Sequence, residues 1–423
     1  MFNLTTLLLQ ICTILITSLG LGWVFSKIHQ PPVIGEMIAG ILLGPTFLGW
    51  ISPEFSASLF PPQSLNYLNA LSQVGLIVFM YLVGLELDLK LLRRNARKVF
   101  FISGTSIVLP FLLGIGLALF LYPVLAFGNR STPLQILTFV LFIGVAMSIA
   151  AFPVMARILQ DNNLLNTQLG TIAISSAAID DVTGWCLLAV LLLLVNGSST
   201  SHPLWMTLIG AILYFATMFV TSKIPPKYLG ITDPVKISPE KVALYLLLAL
   251  ASSLVTEWLG IYPLFGAFLA GAITPRQAGF NHLLRDKLHD FTVVLLLPLF
   301  FAFTGLQTSI FLLNDAKLWL YFGLIVLVAV LGKFGGATLA ARLTGIPWRE
   351  STALGFLMNT RGLMELILLN IGLEHGLISQ TVFTMFVLMA ILTTLMTTPL
   401  LNRFYSPALN TTPEQIPPPR GDH

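Results

Sequence analysis

The chain has 423 residues, of which 56% are hydrophobic and 9% are charged, whereas soluble domains carry about 25% charged residues. A mean hydropathy of +0.88 over the whole length excludes a soluble domain with one anchor and predicts an all-α protein that crosses the membrane many times. The formal net charge of +4 does not indicate nucleic acid as a partner, because the basic residues fall in short loops between apolar segments.

Thirteen apolar segments follow one another along the chain, and each is a candidate transmembrane helix. They lie near residues 5–26, 33–49, 68–86, 99–123, 135–157, 168–196, 203–221, 241–257, 260–275, 288–306, 318–341, 351–373 and 380–401. The first has no basic region before it and no cleavage pattern after it, so we expect a retained helix rather than a signal peptide. Cys12 and Cys186 lie inside apolar segments, which argues against a disulfide framework or a zinc site.

The basic residues test this count, because Lys and Arg collect in cytoplasmic loops. Of the 22 basic residues, only Arg130 and Lys317 fall in even-numbered loops, while Lys333 and Arg361 lie inside segments. The other eighteen are Lys27, Lys90, Arg93, Arg94, Arg97, Lys98, Arg157, Lys223, Lys227, Lys236, Lys241, Arg276, Arg285, Lys287, Arg342, Arg349, Arg403 and Arg420. This split predicts an outer N-terminus and a cytoplasmic C-terminus. A bacterial plasma membrane is the default location, because the chain shows no transit peptide, and an internal membrane is the alternative. The Pro-rich tail 402–423 is predicted to be cytoplasmic and disordered.

Two pairs of segments share a pattern. GEMIAGILLGP (Gly35 to Pro45) resembles GAFLAGAITP (Gly266 to Pro275), with Gly, Ala-Gly and Pro in the same order. FMYLVGLELD (Phe79 to Asp88) resembles FFAFTGLQTS (Phe300 to Ser309) in its Phe, Gly and Leu. The members of each pair are seven segments apart, an odd number, so the two copies have opposite orientations.

We therefore expect one transmembrane domain, 1–401, built from two inverted six-helix repeats. These repeats are about 5–196 and 241–401, with a linker helix at 203–221. Inverted repeats with short, Gly/Pro-interrupted segments are typical of secondary transporters. The alternative is chance similarity between glycine-rich membrane helices, which are common.

Segments five and twelve are predicted to be broken. Pro153 lies within AMSIAAFPVMARIL, and Asn359 and Thr360 interrupt the apolar run of LMNTRGLMELI. Unwound backbone at membrane depth survives only where it is packed in protein or lines a cavity, so we expect the two broken helices to cross near the midplane. Arg361 and Glu365 are four residues apart and can pair on one helix face. We interpret them as compensating half-helix dipoles rather than binding substrate.

Two adjacent acids, Asp180 and Asp181, lie in the middle of segment 168–196. A carboxylate at bilayer depth costs roughly 2.5–3.5 kcal/mol on insertion scales, and acids kept there usually mark an ion or proton pathway. The alternative is a pair buried for packing alone and held by hydroxyl groups. The nearby serine and threonine residues of the same segment can satisfy only part of the pair.

Lys333 lies in segment eleven, too far from either end to reach the membrane surface. It requires an anionic partner or must lose its proton. We predict that it neutralises one aspartate, with Asp180 favoured over Asp181, and that the other aspartate exchanges ligands. Glu36 in segment two is a further acid at depth, which either lies on an access path or, as we prefer, bonds to a serine or threonine.

A buried carboxylate can hold a proton or a hard monovalent cation, but not both. This competition is sufficient for exchange if the site crosses the membrane with either ligand bound. The two adjacent carboxylates are expected to titrate as a coupled pair.

The motifs together resemble the monovalent cation:proton antiporter superfamily, in the branch of Kef-type potassium systems and plant cation/proton exchangers. The resemblance covers nearly the whole chain. It rests on GEMIAGILLGP, LVGLELD, AFPVMARIL, AIDDVTGW, PLFGAFLAGAITP, LPLFFAFTGLQT, GKFGGATLAARL and NTRGLMELILLNIG, in this order.

The resemblance implies a homodimer, with a scaffold and a mobile core that moves as an elevator, and a role in pH homeostasis. It assigns the monovalent cation and proton site to Asp180 and Asp181, the basic partner to Lys333, and support of the helix crossing to Arg361. Sodium or potassium and protons would be the substrates, no cofactor is implied, and an Asp-Asp pair is usually linked to electrogenic exchange.

Two features depart from the family pattern. Many relatives carry Thr just before Ala151, where this chain has Ala150, so a hydroxyl ligand there would have to come from Ser148 or be replaced by main-chain carbonyls. Kef-type proteins often have a C-terminal nucleotide-binding domain, and no GxGxxG motif follows the last segment here. We therefore do not expect gating by such a domain.

Other functions fit less well. A channel-like potassium efflux protein remains an alternative, although no TVGYG-type filter is present. A symporter of organic anions on the same architecture has no need for the buried Asp-Asp/Lys group. An enzyme is not expected, because an intramembrane aspartyl protease requires aspartates on two different helices. The preference between sodium and potassium cannot be read from these residues.

Overall fold

The structure is a computed structural model that describes residues 4–86, 96–125, 133–165, 167–196, 204–221, 238–259, 262–275 and 280–405. Over these residues the regular elements are all helices, which confirms the all-α prediction there. Nine predicted loop or tail cations lie outside the described residues: Lys90, Arg93, Arg94, Arg130, Lys223, Lys227, Lys236, Arg276 and Arg420. The tail beyond residue 405 also lies outside them.

The helices of the first half and the predicted linker follow the predicted segments closely. They are α1 Leu4–Lys27, α2 Pro32–Leu43, α3 Leu48–Ile51, α4 Pro53–Leu59, α5 Pro62–Glu86, α6 Ala96–Leu125, α7 Pro133–Ser148, α8 Phe152–Asp161, α9 Gln168–Asn196 and α10 Leu204–Thr221. Segment two is shorter than predicted, because α2 ends before Gly44-Pro45 and two short helices follow it. Proline cannot donate to a continuing helix, and it also restricts the residue before it.

The second half is also helical over the residues that the structure describes. Its helices are α11 Pro239–Trp258, α12 Pro263–Ile273, α13 Phe280–Phe291, α14 Leu297–Leu306, α15 Ala316–Val330, α16 Gly336–Leu343, α17 Trp348–Met358, α18 Leu363–Glu374 and α19 Gln380–Phe404. A π-helical turn, Thr292–Leu296, joins α13 to α14, and a second, Leu331–Gly335, joins α15 to α16.

Eleven helical stretches of the described residues are long and apolar enough to cross a membrane. This supports a multi-pass membrane protein. Two shorter apolar helices, Ile212–Thr221 and Pro263–Ile273, coincide with predicted segments seven and nine. The count of thirteen crossings therefore stays a prediction.

The glycines of the repeated motifs form two close helix contacts. Gly40 of α2 and Gly305 of α14 face each other, because a Cβ added at Gly305 would overlap the backbone of Gly40. Gly271 of α12 and Gly84 of α5 are equally close, since a Cβ at either would overlap the backbone of the other helix. In the first contact, the second segment of one predicted repeat (α2) packs against the third segment of the other (α14). In the second contact, the third segment of the first repeat (α5) packs against the second segment of the other (α12). Two inverted copies would produce this pair of contacts.

The two broken stretches lie at the centre of the molecule. In the most apolar 18 residues of 133–161 and of 348–374, 83% and 89% of the residues are buried, whereas the corresponding stretches of the outer helices α1, α6 and α11 are only 22–28% buried. The polar groups of the breaks are therefore enclosed by protein, as unwound backbone inside a membrane requires.

Candidate functional site

The first break separates α7 from α8. Helix α7 ends at Ser148 and α8 begins at Phe152, with Pro153 in its first turn and Ala151 extended at φ −111° and ψ 87°. Proline suits the start of a helix, where its missing N–H leaves no hydrogen bond unmade. The Phe-Pro pair thus marks the beginning of a new helix, rather than a kink in a continuous one.

The second break separates α17 from α18 and contains Asn359, Thr360 and Arg361. Gly362 is extended (φ 170°, ψ −132°) and directly precedes α18. The main chain of this break is hydrogen-bonded to two neighbours. The N–H of Ala151 donates to the carbonyl of Thr360 at 3.1 Å, which ties the breaks together.

Helix α19 supports the second break from the other side. The hydroxyl of Thr394 accepts from the N–H of Arg361 at 2.9 Å and donates to its carbonyl at 2.6 Å. Thr360 donates back to the carbonyl of Leu357 at 2.7 Å. Unwound backbone is stable here because other helices provide the missing partners.

Arg361 closes the carbonyl end of α7. Its two terminal nitrogens donate to the carbonyls of Ala146 and Met147, both at 2.8 Å, and one also pairs with Glu365 at 3.0 Å. A cation at a helix C-terminus and an acid in the first turn of α18 both complement helix dipoles. Arg361 precedes α18 instead of lying on one face of it, so its interpretation as a same-helix pair was incomplete.

Asp180 is fully engaged by three partners. Lys333 Nζ lies 2.7 Å from its Oδ2, Ser103 donates to Oδ1 at 2.5 Å, and Ser106 donates to Oδ2 at 3.1 Å. Lys333 also donates to Ser106 at 3.2 Å. The two serines were not identified from the sequence. The available signal was their spacing of three residues, which puts both on one face of α6.

A π-helical turn contains Lys333, between α15 and α16. Gly332 in this turn lies against Pro110 of α6, at 2.7 Å from an added Cβ to the proline Cβ, so there is no room for a side chain. This close approach brings Lys333 to the serines of α6. π-Turns inside helices are frequent at functional sites, and nothing in the local sequence beyond its glycines indicated this one.

Asp181 is buried but has no comparable partners. Its side chain is 4% exposed, and neither carboxylate oxygen makes a hydrogen bond of normal geometry to the described residues. The N–H of Phe152, at the start of α8, is directed toward it. Lys333 and Asp180 are near enough to act on it electrostatically.

A small cavity adjoins Asp181. The volume that the centre of a water molecule can occupy in it is about 10 Å³, enough for a single water or a small ion. Its other walls are Ile149, Gly184, Trp185, Leu188, Met364 and Leu368. The carboxylate is therefore the charged group of an otherwise apolar chamber beside both helix breaks.

Three other predicted positions behave differently. Ser148 donates to the carbonyls of Gly144 (2.8 Å) and Ile107 (3.1 Å), so its proton is committed to the main chain. Asn359 is 4% exposed, and its Oδ1 has no hydrogen-bond partner among the described residues. Glu36 is only partly buried, and no described serine or threonine bonds to it, so the preferred interpretation of Glu36 was wrong.

The charges of the core do not balance. Five charged residues of the described part of the chain are buried, each with less than a tenth of its surface exposed: Asp180, Asp181, Lys333, Arg361 and Glu365. Two ion pairs, Asp180 with Lys333 and Glu365 with Arg361, account for four of them. With all five ionised, one negative charge remains, and it lies on Asp181. One proton or one monovalent cation would neutralise it.

Comparisons with known proteins give relatives that span nearly the whole chain. A family described as "Sodium/hydrogen exchanger, transmembrane" matches residues 13–403. The Na(+)/H(+) antiporter NhaS4 of Synechocystis sp. is 43% identical over 407 residues, which are 95% of this chain and 98% of that protein.

Two eukaryotic relatives are longer than this chain. Cation/H(+) antiporter 17 of Arabidopsis thaliana is 42% identical over 97% of this chain and 49% of its own length. K(+)/H(+) antiporter 1 of Saccharomyces cerevisiae is 34% identical over 95% of this chain and 46% of its own length. The chain thus spans about half the length of these two relatives. All three relatives are transporters, and none is an enzyme.

The fold also has a solved counterpart. The sodium proton antiporter MjNhaP1 from Methanocaldococcus jannaschii, at pH 8, superposes with a TM-score of 0.68 over 95% of this chain and 100% of that one. Sequence identity is 14%, so this likeness concerns the fold alone.

Proposed function

This chain belongs to the sodium/hydrogen exchanger family, and we propose that it is a secondary active antiporter that exchanges sodium or potassium for protons by alternating access. The main support is Asp181, a buried carboxylate without a counter-charge, beside a cavity at two helix breaks. A monovalent cation and a proton each neutralise the one excess charge of the core. They therefore compete for the same carboxylate.

Exchange follows from this competition. With neither ligand bound, Asp181 is an unpaired charge away from water, which is costly. Movement of the core domain across the membrane with an empty site is therefore energetically unfavourable, whereas a core with either ligand bound is neutral and can cross. A cation moving one way and a proton moving the other are coupled without any direct contact between them.

The ligands of the cation would combine Asp181 with oxygen atoms of the breaks. Asn359 Oδ1 is a candidate, because it is buried and has no partner among the described residues. Ser148 can still accept through its oxygen while it donates to main-chain carbonyls. Carboxylate, amide and hydroxyl oxygens are the ligands that hard cations prefer.

Lys333 determines how many protons move. If only Asp181 exchanges its ligand, one proton moves per cation and the exchange is electroneutral. If the cation also binds Asp180, Lys333 loses its partner and becomes an uncompensated buried ammonium, which favours release of its proton. A second proton then moves, and transport becomes electrogenic. A potential of 100 mV would contribute about 2.3 kcal/mol for the net charge moved.

The moving part would be the core formed by α6–α9 and α15–α19, and the scaffold would be formed by α1–α5 and α11–α14. Most hydrogen bonds that join these halves through a side chain lie at one end, and the bond from Gln30 to the carbonyl of Leu395, at 3.2 Å, is an exception at the other end. Asn370 donates to Thr304 at 2.8 Å, the N–H of Ser309 donates to Thr384 at 3.3 Å, and Gln380 donates to the carbonyl of Gln307. With an outer N-terminus this is the outer end, so the conformation would be closed to the outside.

The remaining assignments are parts of the same proposal. The transmembrane domain 1–401 would contain thirteen helices in two inverted repeats, and the protein would act as a homodimer in a bacterial plasma membrane with a cytoplasmic C-terminus. The interchanged glycine contacts of α2–α14 and α5–α12 support the repeats. Sodium and potassium are both candidate substrates, because the relatives are named for one or the other.

The test uses proteoliposomes that contain a pH-sensitive dye, with sodium, potassium and lithium added in turn. The wild-type chain should move protons in response to at least one cation, and Asp181→Asn should abolish this flux. Asp161→Asn is the matched control, because Asp161 is half exposed in a surface pair with Arg157 and should retain wild-type flux. Full exchange by Asp181→Asn would refute the proposal. Cation flux without proton movement would favour the channel-like alternative.

A further inference from the structure

A groove lies between α6 and α16 at the end of the bundle where the basic residues collect. The two helices are close at Gly336, whose added Cβ would lie 3.2 Å from the carbonyl of Thr105. They separate toward the start of α6 and the end of α16, and leave a groove of about 840 Å³. This is within the range of about 300–1,000 Å³ that is usual for small-molecule sites.

The groove is apolar along its length. Val99 and Ile179 form its buried and half-buried floor, while Phe100 and Leu343 border it and are 73% and 76% exposed. Apolar side chains of this kind on a membrane-spanning helix face hydrocarbon. The groove therefore suits an acyl chain that runs along α6.

The mouth of the groove is cationic. Arg97 and Lys98 lie in the first turn of α6, and the groove is lined by no acidic residue of the described chain. Neither side chain forms an ion pair or a hydrogen bond with a described residue.

We propose that this groove binds an anionic phospholipid from the leaflet at the basic end of the bundle, with its phosphate at Arg97 and Lys98 and an acyl chain along Val99 and Ile179. Basic pockets between transmembrane helices are a known type of site for anionic headgroups. In the proposed topology this leaflet is the cytoplasmic one. The lipid would lie beside α6 one turn from Ser103, which hydrogen-bonds Asp180.

Native mass spectrometry of the full chain in detergent tests the proposal, with phosphatidylglycerol and phosphatidylcholine of equal chain length as probes. Phosphatidylglycerol should bind at lower concentration than phosphatidylcholine. Arg97→Gln with Lys98→Gln should weaken its binding about 30-fold, since each basic residue contributes about 1 kcal/mol near a membrane surface. Lys241→Gln with Lys287→Gln removes the same charge away from the groove and should leave binding unchanged.

A second variant and a competitor test the acyl chain separately. Thr344→Trp fills the groove without a change of charge and should also reduce phosphatidylglycerol binding, whereas millimolar inorganic phosphate should not compete. Equal binding of the two lipids, equal losses in the two double variants, or displacement by phosphate would each overturn the proposal. Proton flux is measured in parallel, so that failure of the lipid proposal and failure of the antiport proposal can be told apart. Lipid binding does not require transport, and each proposal can therefore fail without the other.

Discussion

Replacement of Lys333 by methionine should destabilise the core strongly, because it leaves Asp180 buried without its counter-charge. The ammonium lies 2.7 Å from Asp180 Oδ2, and both side chains are 0% exposed. Removal of one partner of a buried pair typically costs 3–5 kcal/mol, here about 4 kcal/mol. The two serines cannot replace the charge, since they already donate to Asp180 in the intact site.

The double variant Lys333→Met/Asp180→Asn should recover most of this loss. Replacement of both partners by neutral groups of similar size removes the desolvation cost as well as the attraction. Thermal unfolding of the purified variants, followed by fluorescence-detected size exclusion, measures the effect. Lys317→Met, in the first turn of α15 and exposed, is the matched control and should unfold like the wild type. The reasoning is refuted if the single variant is as stable as the wild type, or the double variant no more stable than the single.

Three further outcomes follow from the packing and the site. Gly305→Ala should lower the free energy of unfolding by about 1–3 kcal/mol or more, because the added Cβ overlaps the facing helix. Gly323→Ala, with no atom within 4 Å of the added Cβ, should be neutral or stabilising, and equal unfolding temperatures for the two variants would contradict the helix contact. Arg361→Lys should lose at least one hydrogen bond to a carbonyl, worth about 1.5–3 kcal/mol, whereas Arg403→Lys, at an exposed position, should not change stability. Wild-type unfolding of Arg361→Lys would contradict the role of the planar guanidinium group. Lower pH should raise the apparent KM for the cation, by up to about tenfold per pH unit, without lowering the maximal rate; a fall in maximal rate at constant KM would contradict competition at Asp181.

The sequence predicted the positions of the breaks well, because local chemistry determines them. Pro153 cannot continue a helix, and polar residues around Arg361 interrupt an apolar run. The structure has both breaks within a residue or two of these positions. The acids at depth were equally visible, since charge inside an apolar segment is rare.

Long-range contacts could not be predicted in the same way. Ser103 and Ser106 resemble many other serines in membrane helices, and only the packing of α6 against α9 gives them a role. The carbonyls that Arg361 contacts belong to a helix more than 200 residues earlier in the chain. Glu36 illustrates the converse error, because a partner was assumed for a polar group without any information on its neighbours.

The identity of the ion is a further limit of sequence reasoning. Sodium and potassium differ in size and hydration, and the spacing of the oxygens that would distinguish them is determined by the fold rather than by any one residue. A cavity of about 10 Å³ beside Asp181 has room for one small ligand in this conformation. Side chains alone therefore specify the charge of the ligand better than its radius.

The most direct test of shared occupancy is to measure proton release when a cation binds. Purified protein in weakly buffered detergent solution is titrated with sodium or potassium chloride while pH is recorded, and choline chloride is the control for ionic strength. Binding to a site held by a proton must displace that proton, so the wild-type chain should acidify the solution with a saturable dose dependence, and Asp181→Asn should not. Saturable cation binding without proton release, or unchanged release by Asp181→Asn, would contradict the account.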